Sequence, residues 1–224
     1  MALDFDGVDD AVSFGYTADL VSAAALTVMM WIFPTTNDIA SGWWGNRDAD
    51  GGIMIYEESA ATFTVTFDDN SNFGGVASLL TTGAWGHYAF VFNGGGSLNA
   101  DRLKIYKDGT AQTVAFTGTI PATISANAAT TVQLARRPDI AGEFSDGNIA
   151  HHKVWLAALS AAEVAQEVHS RRPHRTAGLH GWWPLDDGTD TKDYSGNGRD
   201  GTVASAPAQV SGPPVSYGAP VLVY

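Results

Sequence analysis

The sequence contains no cysteine. Disulfide bridges and zinc–thiolate centres are therefore excluded. Basic residues are scarce: 12 Lys and Arg stand against 24 Asp and Glu, for a net charge of −12. Such a chain repels a polyanion, which argues against nucleic-acid partners. No uninterrupted apolar stretch approaches the roughly 20 residues of a membrane span, so no membrane association is expected. The opening "MALDFDG" has neither a basic leader nor an apolar core segment. It reads as a strand rather than a signal peptide, and the expectation is a chain made in a cytoplasm and remaining soluble. There is no nucleophile elbow, no Walker loop and no dinucleotide fingerprint.

What is present is strand, nearly everywhere. "TFTVTFDD" alternates strictly, with Phe63, Val65 and Phe67 on one face and threonines on the other. "LTVMMWIF" and "HYAFVFN" are continuous apolar runs, the pattern of central strands covered on both faces. "RLKIYKDGTAQTVAF" reads as a hairpin, with Leu103 and Ile105 on one face and Asp108-Gly109 at the turn. One helix is clear, in "LSAAEVAQEVHSRRP": Ser160 and Glu163 form a capping box, Val164 and Val168 give a narrow apolar stripe, and Pro173 closes it. One short helix among a dozen or so strands implies an all-β, two-sheet antiparallel β-sandwich of 224 residues. The sandwich is expected over residues 1–204 and an extended tail over 205–224.

Several segments carry candidate chemistry. "DYSGNG" places Asp193, Ser195 and Asn197 at alternate positions, followed by Gly198. Oxygen ligands at positions 1, 3 and 5 with glycine at 6 can wrap calcium, and Asp6 or Asp9 of the first loop could complete the shell. It is no EF-hand, because position 12 is Ala204. The alternative is an Asx-turn without metal. "SGWWGNRDAD" offers a sugar-binding inventory in Trp43, Trp44, Asn46, Arg47 and Asp48. Two adjacent tryptophans in an extended segment point to opposite faces, which would leave one exposed for stacking unless a neighbouring loop covers it. "HSRRPHR" concentrates Arg171, Arg172 and Arg175, either to balance the helix dipole or to dock an acidic partner. The tail has four prolines, two glycines and no charge, and ends in "VLVY". Val221, Leu222 and Tyr224 are expected to anchor it to its own sandwich or to a neighbouring subunit.

Five segments in register, "LDFDGVDDAVSF", "LTVMMWIFPTT", "WGHYAFVFNGG", "LKIYKDGT" and "GNIAHHKVWLAALSAAEVAQEV", resemble the laminin G-like jelly-roll family of the concanavalin A-like lectin and glucanase fold. The resemblance covers nearly the whole chain and implies a jelly roll. In most relatives the aromatic strand and "DxSGNGxxGT" loop precede "LDFDGVDD"; here "GLHGWWPL" and "DYSGNGRDGT" follow the helix. The aromatic entrance strand, though placed C-terminally, is expected to fill its usual slot against the strand of Leu3 and Phe5, bringing Asp193 to "DFDGVDD". This order is similar to laminin G-like proteins of tailed bacteriophages. The resemblance implies calcium at Asp193 and Asn197, although Ile149 is followed by "AHH" where the family often has acidic residues. Glucanases of this fold align carboxylates on one strand face. Glu57 and Glu58 are adjacent and face opposite ways, and Glu143 and Asp146 are also badly spaced, so no enzyme is expected. Two classes follow. One is a non-catalytic virion component, a decoration or tail accessory protein at the virion surface, docking to other subunits or to itself and open to cell-surface glycans. The other is a free-standing calcium-dependent carbohydrate-binding module.

Overall fold

Alternating and continuous apolar runs fold as the two kinds of strand they encode. The computed structural model describes residues 1–36, 41–59, 62–68, 71–129, 131–186 and 190–215. In chain order its elements are β1 (Ala2–Asp6), β2 (Ala11–Phe14), α1 (Thr17–Leu20), β3 (Ala25–Pro34), β4 (Gly42–Gly45), β5 (Ile53–Ser59), β6 (Thr62–Phe67), β7 (Asn72–Val76), β8 (Gly86–Asn93), α2 (Asn99–Arg102), β9 (Leu103–Lys107), β10 (Thr110–Ala111), β11 (Ala115–Thr117), β12 (Val132–Leu134), β13 (Asp146–Trp155), α3 (Ala161–Val168), β14 (Leu179–Trp183), β15 (Gly201–Ala204) and β16 (Ala208–Val210). The first sheet runs β10-β9-β8-β3-β13-β1-β16, with β14 also on β13. The second runs β11-β7-β6-β5-β4-β12-β2-β15. All pairings are antiparallel, and the two sheets pack as a sandwich.

The inner faces meet in one core. Phe63, Val65 and Phe67 of β6 enter it beside Tyr88, Phe90 and Phe92 of β8, as the alternation at 62–67 demands. The outer face of the first sheet is covered in turn. Met29, Ala89, Val91, Tyr106 and Trp155 lie under Leu159 and Val164, so β3 and β8 are buried on both faces. The Ser160–Glu163 capping box forms as the spacing predicts, with Ser160 N donating to Glu163 Oε2 at 2.7 Å. The Asp108-Gly109 turn joins β9 to β10 with φ of 50° and 77°, the left-handed pair that a two-residue hairpin requires. Past that turn the reading fails: β11 leaves the hairpin and joins the second sheet on β7.

The structure corrects three further expectations. The helix is not alone, since α1 and α2 add one turn each, and α3 stops at Val168, five residues before Pro173. The aromatic strand packs within the chain but not on β1. β14 pairs with β13 from His152↔Trp183 to Trp155↔Leu179, while β1 pairs with the same edge from Leu3↔Ile149 to Asp6↔Asp146. β14 and β1 therefore lie end to end on one edge of β13. The step between them falls at a bulge in β13, where His151 has φ of 51° and its N–H donates to Pro184 O at 2.9 Å. The 204/205 boundary also moves. Residues 208–210 form β16 on β1, so the sandwich includes the start of the supposed tail.

Candidate functional site

The tryptophans of "SGWWGNRDAD" do not face solvent. Gly42 pairs with Tyr56 and Trp44 with Ile55, two residues of β4 against one step of β5. This bulge removes the alternation on which the exposure of one ring depended. Both rings enter the core, 1% and 0% exposed, with Trp44 Nε1 donating to Tyr16 Oη at 3.2 Å. Asn46 is buried and its Oδ1 accepts from Ile53 N at 3.2 Å. Arg47 binds Asp139 at 2.7 Å and Asp68 O at 2.8 Å. Asp48 accepts from Asp50 N, Gly51 N and Ala128 N. The segment is thus strand β4 followed by a hydrogen-bonded turn, and these five residues do not form a sugar platform.

The "DYSGNG" loop brings its three polar residues together, but as a hydrogen-bonded latch. Asp193 accepts from Trp182 N at 3.0 Å, Ser195 N at 2.9 Å, Arg199 N at 3.0 Å and Ser195 Oγ at 2.8 Å. Burial pushes its pKa up, but these donors outweigh it and hold the carboxyl below the usual aspartate value. Asn197 donates to Leu179 O and His180 O. The carboxylate oxygens already face N–H and O–H donors, so the loop does not fit a cation. Nor does Asp6 reach it. Trp182, which Asp193 holds, pairs with Lys153, whereas Asp6 pairs with Asp146 seven residues away on the same strand. At about 3.3 Å per residue the separation is roughly 20 Å. Asp6 and Asp9 instead gather with Asp10, their ligand oxygens all within 4.8 Å of one another. Asp6 accepts from Val8 N at 2.8 Å, which lowers its pKa. Burial, with the charges of Asp6 and Asp9, raises that of Asp10.

The arginine cluster is largely engaged with its own chain. Arg171 pairs with Asp186, and Arg175 with Glu163 at 2.7 Å, while Arg172 is exposed. Val221, Leu222 and Tyr224 lie outside the described residues.

An open groove lies on the outer face of the first sheet, and none of the predicted site residues is in its lining. Its volume is about 600 Å³, and it is lined by Met1, Phe33, Trp85, Asn148, Gln209, Val210 and Ser211. The strand register builds it. Phe33 stands opposite Asn148, and Asn148 opposite Asp4, in one row across β3, β13 and β1. Trp85, one residue before β8, sets its ring 5.6 Å from Phe33. Both aromatic residues are half-buried. Asn148 Oδ1 is buried with no hydrogen-bond partner. Aromatic faces beside an amide can hold a ligand with an apolar face and polar edges. The sequence carried a signal for this site in an aromatic residue at a loop–strand junction and an asparagine in an apolar strand, but not their juxtaposition.

Residues 6–165 match the laminin G-type model of the concanavalin A-like lectin/glucanases superfamily. The chain belongs to this superfamily. No curated protein sequence matches the lectin-like chain. A provisionally assigned carbohydrate-binding protein from Bacteroides ovatus shares its fold with a TM-score of 0.70 and 16% identity, over 96% of this chain and 61% of that one. This chain thus spans about three-fifths of that relative. The CBM40 module of Ruminococcus gnavus IT-sialidase, bound to α2,3-sialyllactose, matches with a TM-score of 0.56 and 11% identity, over 75% and 98% of the two chains. Domain 4 of the arabinanase AbnA from Geobacillus stearothermophilus, in complex with arabinotriose, matches with 0.51 and 19%, over 74% and 75%. Among the described residues of this lectin-like domain, no helix is long and apolar enough to cross a membrane.

Proposed function

We propose that this lectin-like domain is a non-catalytic binding module whose ligand is a carbohydrate. The observation that carries the reading is the open groove, with Trp85 and Phe33 beside amide and hydroxyl side chains. Sugars present C–H faces to such rings and hydroxyls to such edges. The sialyllactose and arabinotriose complexes on the same fold support it. The lack of catalysis is supported by the carboxylates weighed as catalytic: Glu57 is buried while Glu58 is exposed on the next position, so the two do not share a face. A glycan array with the purified chain tests the reading. Saturable binding to at least one glycan, without hydrolysis, is the expected result, and a blank array removes the proposal.

The C-terminal placement of β14 supports a more specific setting, a virion component that docks to other subunits and presents this groove. Mass spectrometry of purified particles should then detect the chain, and its absence from them sinks that setting.

Calcium is proposed at Asp6, Asp9 and Asp10 rather than at Asp193, on the convergence of the three carboxylates. Calcium in hundredfold excess over its dissociation constant should add about 3 kcal/mol to stability. Thermal melts should show this gain in the wild type and in Asp193→Asn, but not in Asp9→Asn. Separately, Asp193→Asn should cost about 1–3 kcal/mol, because the latch loses a charged acceptor of buried donors. Identical melts with calcium and with chelator would remove the ion from the proposal.

A further inference from the structure

We infer that the pocket between the outer face of β8–β9 and the start of α3 is a second binding site, and that it takes an uncharged, hydroxyl-rich ligand, one sugar or polyol unit, with the Tyr106 hydroxyl as a contact. The pocket shares no lining residue with the groove, so this inference goes beyond the groove and does not depend on it.

The strand register builds the floor. Lys104 stands opposite Val91, and Tyr106 opposite Ala89, in the β8–β9 ladder. Side chains alternate along a strand, so Lys104 and Tyr106 share the outer face while Leu103 and Ile105 enter the core. The segment before α3 forms the facing wall. It is pinned to β3 by Thr27, whose Oγ1 donates to Ala157 O at 2.7 Å and accepts from Leu159 N at 3.1 Å. Asp101 of α2, Asn93, Ser160 and Glu163 complete a space of about 280 Å³. That is close to the lower end of small-molecule sites, roughly 300 Å³.

Two observations point to an occupant and to its class. The first is Tyr106. Its ring packs with Met29, Val91, Trp155 and Leu159 and is 3% exposed. Its hydroxyl opens on the pocket and makes no hydrogen bond. Burial raises its pKa with no hydrogen-bonded neighbour acting on it. A tyrosine buried to this degree ordinarily has a partner for its hydroxyl. The group both donates and accepts, so another hydroxyl matches it.

The second is the balance of charge. Glu163 is paired with Arg175 at 2.7 Å, and its other oxygen accepts from Ser160 N and Oγ. Lys104 and Asp101 remain, equal and opposite. Among the described residues neither has an ion-pair partner, although both line the same pocket. Asp101 Oδ2 accepts from Leu98 N at 3.2 Å, which leaves its second oxygen open. Asn93 Oδ1 accepts from Gly95 N at 3.3 Å, which leaves its amide N–H groups open. A net charge on the ligand would be drawn to one of Lys104 and Asp101 and repelled by the other. Neighbouring hydroxyls satisfy both, accepting from Lys104 or Asn93 and donating to Asp101.

The experiment is an amide NMR titration of the full chain. Methyl glucoside, methyl galactoside and sorbitol are the neutral probes, and glucuronate, glucosamine and glycine are the charged ones. The signals of Lys104, Tyr106 and Ser160 report the pocket. The expected result is a saturable shift of these signals by at least one neutral probe. A response to a glycoside assigns a sugar ring, and a response to sorbitol alone assigns an acyclic polyol. Tyr106→Phe removes only the hydroxyl and should weaken binding about fivefold, the worth of one neutral hydrogen bond, with the melting temperature held. Lys104→Met, at an exposed position, should weaken it as well. Pocket signals that no neutral probe moves overturn the site and leave the groove standing, since the groove reports through Trp85. A charged probe that binds there more than threefold tighter than every neutral one overturns the ligand class. Unchanged binding in both variants overturns the assignment of the contacts.

Discussion

Acidification from pH 7 to pH 4.5 should cost this protein about 5 kcal/mol of stability through two histidines alone. His151 and His152 are 1% and 0% exposed. Burial, reinforced by the Lys153 charge, lowers the pKa of His151 to about 4. Burial lowers that of His152 to about 3, against a small opposing effect of Met29 O. In the unfolded chain each returns to about 6.5, so below that pH the unfolded state binds protons that the folded state refuses. Their contribution is complete above pH 6.5 and is lost as pH falls toward 4 and 3. At two units below 6.5 each loses on the order of 2–3 kcal/mol, and the sum rivals the whole stability of a small domain. His87, also pushed well below its ordinary value by burial, adds in the same direction. Carboxylates held low by hydrogen bonds, such as Asp193 and Glu163, act only below about pH 4.5, so the two windows separate. Urea melts at pH 7.5, 6.5, 5.5 and 4.5 measure the slope. His152→Phe preserves the ring stacked on Trp183 at 5.1 Å and should make the slope shallower by about one proton. Stability that stays flat from pH 6.5 to 4.5 would show that these imidazoles titrate normally.

Glu167→Ala should destabilise the fold by about 3–5 kcal/mol, the cost of leaving a buried charge without its partner. Lys153 and Glu167 are each 1% exposed on their side chains, and their Nζ and Oε2 atoms are 2.7 Å apart. Lys153 also donates to Ser170 O at 2.6 Å. Burial lowers its pKa, and the Glu167 carboxylate opposes that shift and keeps the charge in place. The other oxygen of Glu167 accepts from His174 N at 2.7 Å and Arg175 N at 3.0 Å. One carboxylate thus secures α3 to β13 and fixes the basic segment after the helix. The amides of His174 and Arg175 should exchange much faster in Glu167→Ala than in the wild type. The double variant Lys153→Met, Glu167→Leu should recover most of the stability, because apolar replacement removes both desolvation penalties. A Glu167→Ala protein as stable as the wild type would mean that the pair is solvated in solution.

The basic segment shows how far sequence reasoning reached. "HSRRPHR" invited either balance of the helix dipole or docking of an acidic partner. The guanidinium groups of Arg171 and Arg175 pair with Asp186 and Glu163, and the backbone beside them is held by Glu167. Those carboxylates were visible in the sequence, and Glu163 and Glu167 meet their partners within one helix-to-loop segment, but the approach of Asp186 to Arg171 depends on β14 returning along β13, which no local pattern specifies. The two tryptophans fail for a related reason. Alternation assumes an unbroken strand, and the bulge of β4 against β5 arises from pairing rather than from the residues of β4 alone.

By itself the sequence determined whatever depends on neighbours a few residues apart. The alternation at 62–67 set which side chains enter the core, Ser160 and Glu163 started the helix, and Asp108-Gly109 turned the hairpin, because hydrophobic period, capping and turn chemistry are short-range. The antiparallel two-sheet class followed from their sum. Only the tertiary structure decided that β14 and β1 share one edge of β13, that Asp193 latches a loop far from Asp6, and that Trp85, Phe33 and Asn148 border one groove. Each of these is a choice of partner between segments distant in the chain. Backbone edges of β-strands are chemically alike, so that choice is made by packing of the whole sandwich and leaves no mark on any single stretch of residues.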